Sequence, residues 1–170
     1  MFLSEDNLYF ITSITETIME IGEYIPNHLG IDEEGRMVTA SGDYAHQPLI
    51  IYFYPKDNTP GCTAEACSLR DGYEQLKKMG YSIIGINRDT VASHQKFAAK
   101  HNLPFPLLTD VTGEVCEAFG VWQMKKMCGR EYMGLVRTTF ATDADHRLTH
   151  IIKKVNTKAA AEQLVELLGK

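Results

Sequence analysis

Cys62 stands where a loop gives way to a helix, the position in this chain best suited to chemistry. It follows Pro55-Lys56-Asp57-Asn58-Thr59-Pro60-Gly61 and precedes Thr63-Ala64-Glu65-Ala66-Cys67. The first turn of a helix carries backbone N–H groups without intrahelical partners and the positive end of the macrodipole. Both favour a thiolate over a thiol, and the thiolate is the form of cysteine that attacks. Cys67 comes next, with four residues between it and Cys62. A helix-start thiol with a second thiol close by is the layout of a thiol redox enzyme.

Such a thiol needs a strand before it and a helix after it. Leu49-Ile50-Ile51-Tyr52-Phe53-Tyr54 is a continuous β-prone run and predicts a strand buried on both faces. Residues 63–79 read as a helix in which Ala66, Leu69, Tyr73 and Leu76 form one apolar stripe. Lys77 and Lys78 suit its C-terminal dipole, and Gly80 ends it. Cys67 lies off the stripe, beside Arg70 and Glu74, on a polar face that an outside reductant can reach. Tyr81–Asn87 is a second strand, which completes a βαβ unit. Beyond it the pattern predicts a helix over about 91–101, a short strand at Leu107-Leu108 and a helix over about 112–119. Residues 122–136 read as a loop near the site. Thr138–Thr142 and Leu148–Val155 read as strands around a turn at Asp143–His146. The last helix begins near Lys158, with Leu164, Leu167 and Leu168 facing inward. The fold class is α/β, a central mixed sheet flanked by helices.

The spacing Pro55-x-x-x-Thr59-x-x-Cys62, with Arg137 far downstream, resembles the active-site signature of the peroxiredoxins. The longer string Tyr52–Cys67 is similar to the bacterioferritin comigratory protein (PrxQ) subfamily. The likeness runs on through Leu69-Arg70-Asp71, Leu103–Asp110, Phe119-Gly120-Val121-Trp122 and Arg137-Thr138-Thr139-Phe140, and so covers roughly residues 20–168 in order. It implies a thioredoxin-like fold and a peroxidase that reduces hydrogen peroxide and organic hydroperoxides without a cofactor. It makes Pro55, Thr59, Cys62 and Arg137 the four active-site residues. Thr59 would offer its hydroxyl, the amides around Gly61 and Cys62 would hold a peroxide oxygen, and Arg137 would supply fixed positive charge. Glu65 is a candidate to orient Arg137. The sulfenic acid formed at Cys62 would condense with Cys67, the resolving thiol by resemblance, and thioredoxin would reduce the resulting disulfide. The implied assembly is a monomer or weak homodimer. His28, Ala141 and Thr142 depart from the subfamily's pattern without touching this chemistry.

A chain of 170 residues with 44% hydrophobic and 23% charged residues suits one globular domain. Residues 19–170 read as that domain, and residues 1–18 as a non-catalytic, poorly ordered extension. The net charge of −5 argues against nucleic acid or an anionic membrane as partner. No apolar run is long enough to span a bilayer, and Met1–Asp6 lacks the basic start of a secretory signal. The expected location is the cytoplasm, where thiols stay reduced.

Two other functions remain open to a helix-start cysteine. A protein thiol–disulfide oxidoreductase would use Cys-x-x-Cys, which the spacing here does not supply. A metal-binding module would need paired ligands, and Cys-x-x-Cys does not occur. Cys116, next to a helical apolar face, reads as core. Cys128, in a polar segment, reads as an incidental surface thiol. The six histidines read as surface or structural.

Overall fold

The computed structural model describes residues 18–170. The poorly ordered extension expected over 1–18 therefore lies outside the described residues up to position 17. Ile18 itself packs against the core.

In chain order the elements are β1 (His28–Ile31), β2 (Met37–Thr39), α1 (Ala40–Asp43), β3 (Leu49–Phe53), α2 (Pro60–Asp71), α3 (Tyr73–Lys78) and β4 (Ser82–Asn87). They continue with α4 (Val91–His101), β5 (Leu107–Thr109), α5 (Glu114–Ala118), β6 (Trp122–Met127), β7 (Arg130–Leu135), β8 (Thr138–Thr142), β9 (Leu148–Ile152) and α6 (Ala160–Leu168). Seven strands form one sheet in the order β2-β1-β5-β4-β3-β8-β9. β3, β4 and β5 run parallel, and β1, β2, β8 and β9 join antiparallel. This is the mixed sheet expected from the βαβ pattern, with the β1–β2 hairpin added.

β3 is the centre of the molecule, with every residue buried. Alternate side chains of a strand point to opposite faces. Leu49, Ile51 and Phe53 accordingly join the core under α5, while Ile50, Tyr52 and the following Tyr54 join the core under α2, α3, α4 and α6. At its start, the Leu49 amide donates to Thr142 Oγ1 (3.1 Å), where the β8–β9 register shifts. Thr142 thus has a hydrogen-bonding use that a larger aliphatic could not fill.

Three expectations change. The helix expected over 63–79 is two helices, α2 and α3, broken at Gly72. A Cβ at Gly72 would lie 2.3 Å from the Ala161 Cβ, so close contact with α6 demands glycine there. Gly72→Ala should therefore cost about 1–3 kcal/mol by overpacking. An unchanged denaturant midpoint would show that α6 does not press on this break. Residues 122–135 are a β-hairpin rather than a loop, closed by Cys128 (φ 52°) and Gly129 (φ 78°). Two consecutive left-handed residues make the tight turn whose twist matches paired strands, but Cys-Gly is not the usual signal for it. Leu164 is buried and Leu168 packs on the core as expected, but Leu167 is exposed.

Candidate active site

The site begins where β3 runs out. Tyr54 is buried, and the next residues turn across the end of the sheet through Asn58, which is left-handed (φ 60°). Asp57 pins this turn. Its Oδ1 accepts from the Tyr54 hydroxyl (2.7 Å), and its Oδ2 accepts from Ser93 Oγ (2.7 Å) and His94 Nδ1 (2.7 Å). The Asp57 amide donates to Asp89 (2.7 Å). Burial alone would push the Asp57 carboxyl up. Hydrogen bonds from His94, Tyr54 and Ser93 outweigh it and hold the carboxyl below the usual range. His94 is fully buried, a structural histidine that ties α4 to the loop. A lone histidine in a helical sequence carries no mark of that contact.

Thr59 is the N-cap of α2, in extended conformation, and Pro60 follows at the first helical position, where its missing N–H and fixed φ cost nothing. The Thr59 hydroxyl donates to the Lys56 carbonyl (2.8 Å), which leaves its oxygen free to accept from a ligand. Thr63 makes the first helical bond, back to the Thr59 carbonyl (2.9 Å), so the Gly61 and Cys62 amides precede the ladder. α2 thus starts three residues earlier than the sequence pattern suggests, and Cys62 sits within its first turn.

Cys62 is only 1% exposed and packs into the core with Tyr52 and Tyr54. Arg137, just before β8, reaches it across the sheet: Nη2 donates to Cys62 Sγ (3.3 Å) and Nη1 donates to Glu65 Oε2. A Cβ on Gly61 would meet the same guanidinium at 3.2 Å, so the glycine makes room for the charge. Burial works against the Arg137 cation, but Glu65 and Cys62 more than offset it and raise it above the ordinary arginine value. Glu65 is fully buried, and burial pushes its carboxyl up to about 7 against the pull of Arg137. A carboxyl raised on folding stabilises most below its ordinary value of 4.5 and loses that contribution as pH rises through about 7. Glu65→Gln should flatten the fall in stability across that window. An identical pH slope in denaturant unfolding would show that Glu65 does not titrate there.

The structure therefore brings Thr59, Gly61, Cys62, Glu65 and Arg137 together. Pro55 is half-buried at the head of the same loop. Cys67 lies one and a half turns further along α2. It is half-buried rather than open on a polar face, with Sγ 3.8 Å from Nδ1 of His101 on α4. Arg70 secures that corner by donating to the His101 carbonyl (2.9 Å). Cys116 is fully buried in α5, and burial pushes its thiol well up. Cys128 is exposed at the hairpin tip.

Two groups at the site are not evident from the sequence pattern. Lys125, on β6, donates to the Leu135 carbonyl (3.0 Å). Burial and Arg137 push it below the ordinary lysine value, with Cys62 acting in the opposite direction. Arg88 stacks over the Trp122 ring (4.9 Å) and fastens the hairpin that carries Lys125. The Tyr52 hydroxyl is buried without a hydrogen-bond partner among the described residues. Burial first, then Glu65, Asp57 and Cys62, hold it as the neutral phenol. No group of three or more His, Cys, Asp or Glu residues suited to a metal ion occurs among the described residues. No helix there is long and apolar enough to cross a membrane.

A thioredoxin-like sheet with a buried thiol in the first turn of a helix, held by an arginine from across the sheet, defines a thiol peroxidase. The model of the AhpC/TSA family matches residues 21–151. Peroxiredoxin Bcp of Bacillus subtilis is 43% identical over 150 residues, covering 88% of this chain and 95% of that protein. Peroxiredoxin Bcp of Escherichia coli is 40% identical over 139 residues, covering 82% and 88%. Among solved structures, a cysteine-to-serine mutant of Xylella fastidiosa PrxQ superposes with a TM-score of 0.82 at 33% identity, covering 90% of this chain and 97% of the other. The Xanthomonas campestris bacterioferritin comigratory protein, studied for alkyl peroxide reduction, gives 0.79 at 32%, covering 88% and 98%. The chain belongs to the AhpC/TSA family, within its Bcp/PrxQ peroxiredoxins. It is a thiol-dependent peroxidase, with a peroxide as substrate and a thiol as reductant.

Proposed function

We propose that Cys62 is the thiol that attacks the peroxide and Cys67 the thiol that resolves the product. The observation that carries this reading is the Arg137 guanidinium donating to a buried sulfur in the first turn of α2. The Cys62 thiolate attacks one peroxide oxygen, the O–O bond breaks, and the other oxygen leaves as water or an alcohol. Thr59 Oγ1 accepts from the peroxide, while the Gly61 and Cys62 amides and Arg137 stabilise charge on its oxygens. Pro55 shapes the loop around them, and Glu65 orients Arg137. Cys67 then attacks the Cys62 sulfenic acid, releasing water and forming a disulfide. Thioredoxin reduces that disulfide. Hydrogen peroxide and organic hydroperoxides are both substrates, in keeping with the alkyl peroxide reduction studied in the Xanthomonas relative. Residues 19–170 act as one unit in the cytoplasm, as a monomer or weak homodimer, with residues 1–18 outside the chemistry. Peroxide-dependent turnover with thioredoxin and its reductase tests the whole cycle, and failure with thioredoxin but success with another thiol would reassign only the reductant.

Helix geometry adds a constraint. In an intact helix the Cα atoms of residues five apart lie roughly 8–9 Å apart and their side chains diverge by about 140°. A disulfide spans at most about 7 Å between Cα atoms. The first turns of α2 must therefore unwind for Cys62 and Cys67 to join. Amide hydrogen exchange over about residues 60–70 should be markedly faster in the disulfide form than in the reduced form. Equal protection in both, with the disulfide mapped to this pair, would sink the unwinding. Cys67→Ser should still consume one equivalent of peroxide but lose most thioredoxin-driven turnover, and its Cys62 should overoxidise more readily. Undiminished turnover would remove Cys67 from the cycle.

A further inference from the structure

Arg137 bridges two groups that can each carry a negative charge. Its Nη2 donates to Cys62 Sγ and its Nη1 to Glu65 Oε2, and both acids are buried. One cation between two anions leaves a net negative charge in a low-dielectric site, which is costly. Lys125 feels the charge of Cys62, but its ammonium is bonded to the Leu135 carbonyl and makes no bond to Glu65, whose charge partner is Arg137. Tyr52, the other titratable neighbour, stays neutral. Glu65 Oε1 receives no hydrogen bond from any described residue, a poor environment for a full carboxylate. Two acids sharing one countercharge titrate as a pair: ionising one favours protonation of the other.

We propose that Glu65 is a proton-carrying residue, a carboxylic acid while Cys62 is a thiolate and a carboxylate once Cys62 has become a sulfenic acid. The inference rests on Cys62 being the attacking thiol. The thiolate sulfur bonds to the hydroxyl oxygen of the hydroperoxide, the O–O bond breaks, and the electron pair leaves on an alkoxide. Sulfur is oxidised and the peroxide reduced. Cys62 is then neutral, Arg137 is free to pair with Glu65 alone, and Glu65 gives up its proton as the alkoxide gains one. The step draws no proton from bulk water. The rise of the Glu65 carboxyl to about 7 places this exchange near neutral pH. Glu65 acts through Arg137 and is a positioning residue in that sense, but one whose own charge changes in each cycle.

The test uses the Cys67→Ser chain, in which the sulfenic acid persists, mixed with one equivalent of hydrogen peroxide in weak buffer at neutral pH. A pH indicator reads proton uptake, mass spectrometry reads the oxygen gained at Cys62, and infrared difference spectroscopy reads the carbonyl stretch of a protonated carboxyl. The expected result is near-zero proton uptake per Cys62 oxidised and loss of a protonated-carboxyl band. With Glu65→Gln added, uptake should rise to one proton per Cys62 and the band should be absent from the start. Oxidation of Cys62 with a full proton taken up and no carboxyl band lost would overturn the inference while leaving Cys62 as the nucleophile. No oxygen gained at Cys62 would overturn both. The infrared reading on the Glu65-bearing chain decides the matter even if the glutamine variant folds poorly.

Discussion

Cys62→Ser should abolish peroxide reduction outright while leaving a folded protein. Serine keeps the size of the side chain, and Cys62 fills a packed site among Tyr52, Tyr54 and Ala66, so the core should close over the hydroxyl with little change. The chemistry does not survive the exchange. A serine hydroxyl has no accessible anion near neutral pH and lacks the polarisable sulfur that attacks an O–O bond. The other three thiols lack the Arg137 contact: Cys67 faces His101 instead, Cys116 is buried in α5 and held as the thiol, and Cys128 sits at the hairpin tip. The expected loss is to the background of the uncatalysed reaction. Turnover retained in a variant with an unchanged unfolding midpoint would take the nucleophile role from Cys62.

Arg137→Ala should slow the reaction of the thiol with peroxide by about 100- to 1000-fold, the usual cost of removing one preorganised charge-stabilising donor. The same change strands Glu65. A buried carboxylate that loses its cation normally costs about 3–5 kcal/mol, but Glu65, already pushed up to about 7, escapes most of that cost by holding its proton. The variant should therefore fold at neutral pH and lose stability steeply as pH rises. Single-turnover kinetics and denaturant unfolding on either side of neutrality separate the two effects. A rate within tenfold of the parent would mean that Arg137 does not stabilise the reacting oxygens. Stability independent of pH would mean that Glu65 finds another partner.

Much of this protein follows from local sequence. β3 and β4 are apolar runs between turn residues, α4 carries a helical stripe closed by left-handed Asn102, and the order strand–helix–strand leaves few topologies open. Cys62 was legible because its signal is local too: a strand end, a proline, a glycine, then a thiol at a helix start. Thr59 and Pro60 belong to the same dozen residues. What failed locally was decided by packing. The break at Gly72 arises because α6, almost ninety residues on, presses its Ala161 against that point. The β6–β7 hairpin closes on a Cys-Gly pair that does not announce a turn, and it is fastened by Arg88 from the opposite side of the chain order.

The site divides along the same line. Sequence by itself determined the place of Cys62 at a helix start, the α/β order and, through family likeness, Arg137 as a partner from far along the chain. Only the tertiary structure decided the environment of that pair. It seals Glu65 behind Arg137, brings Lys125 in on a hairpin, sets His101 against Cys67, and locks the loop through the buried Asp57–His94–Tyr54 contacts. The physical reason is one of range. Strand and helix patterns and cap residues act over a few neighbours and can be read along the chain. Burial, charge pairing and the protonation that follows depend on which groups meet across the sheet, and folding alone brings those together.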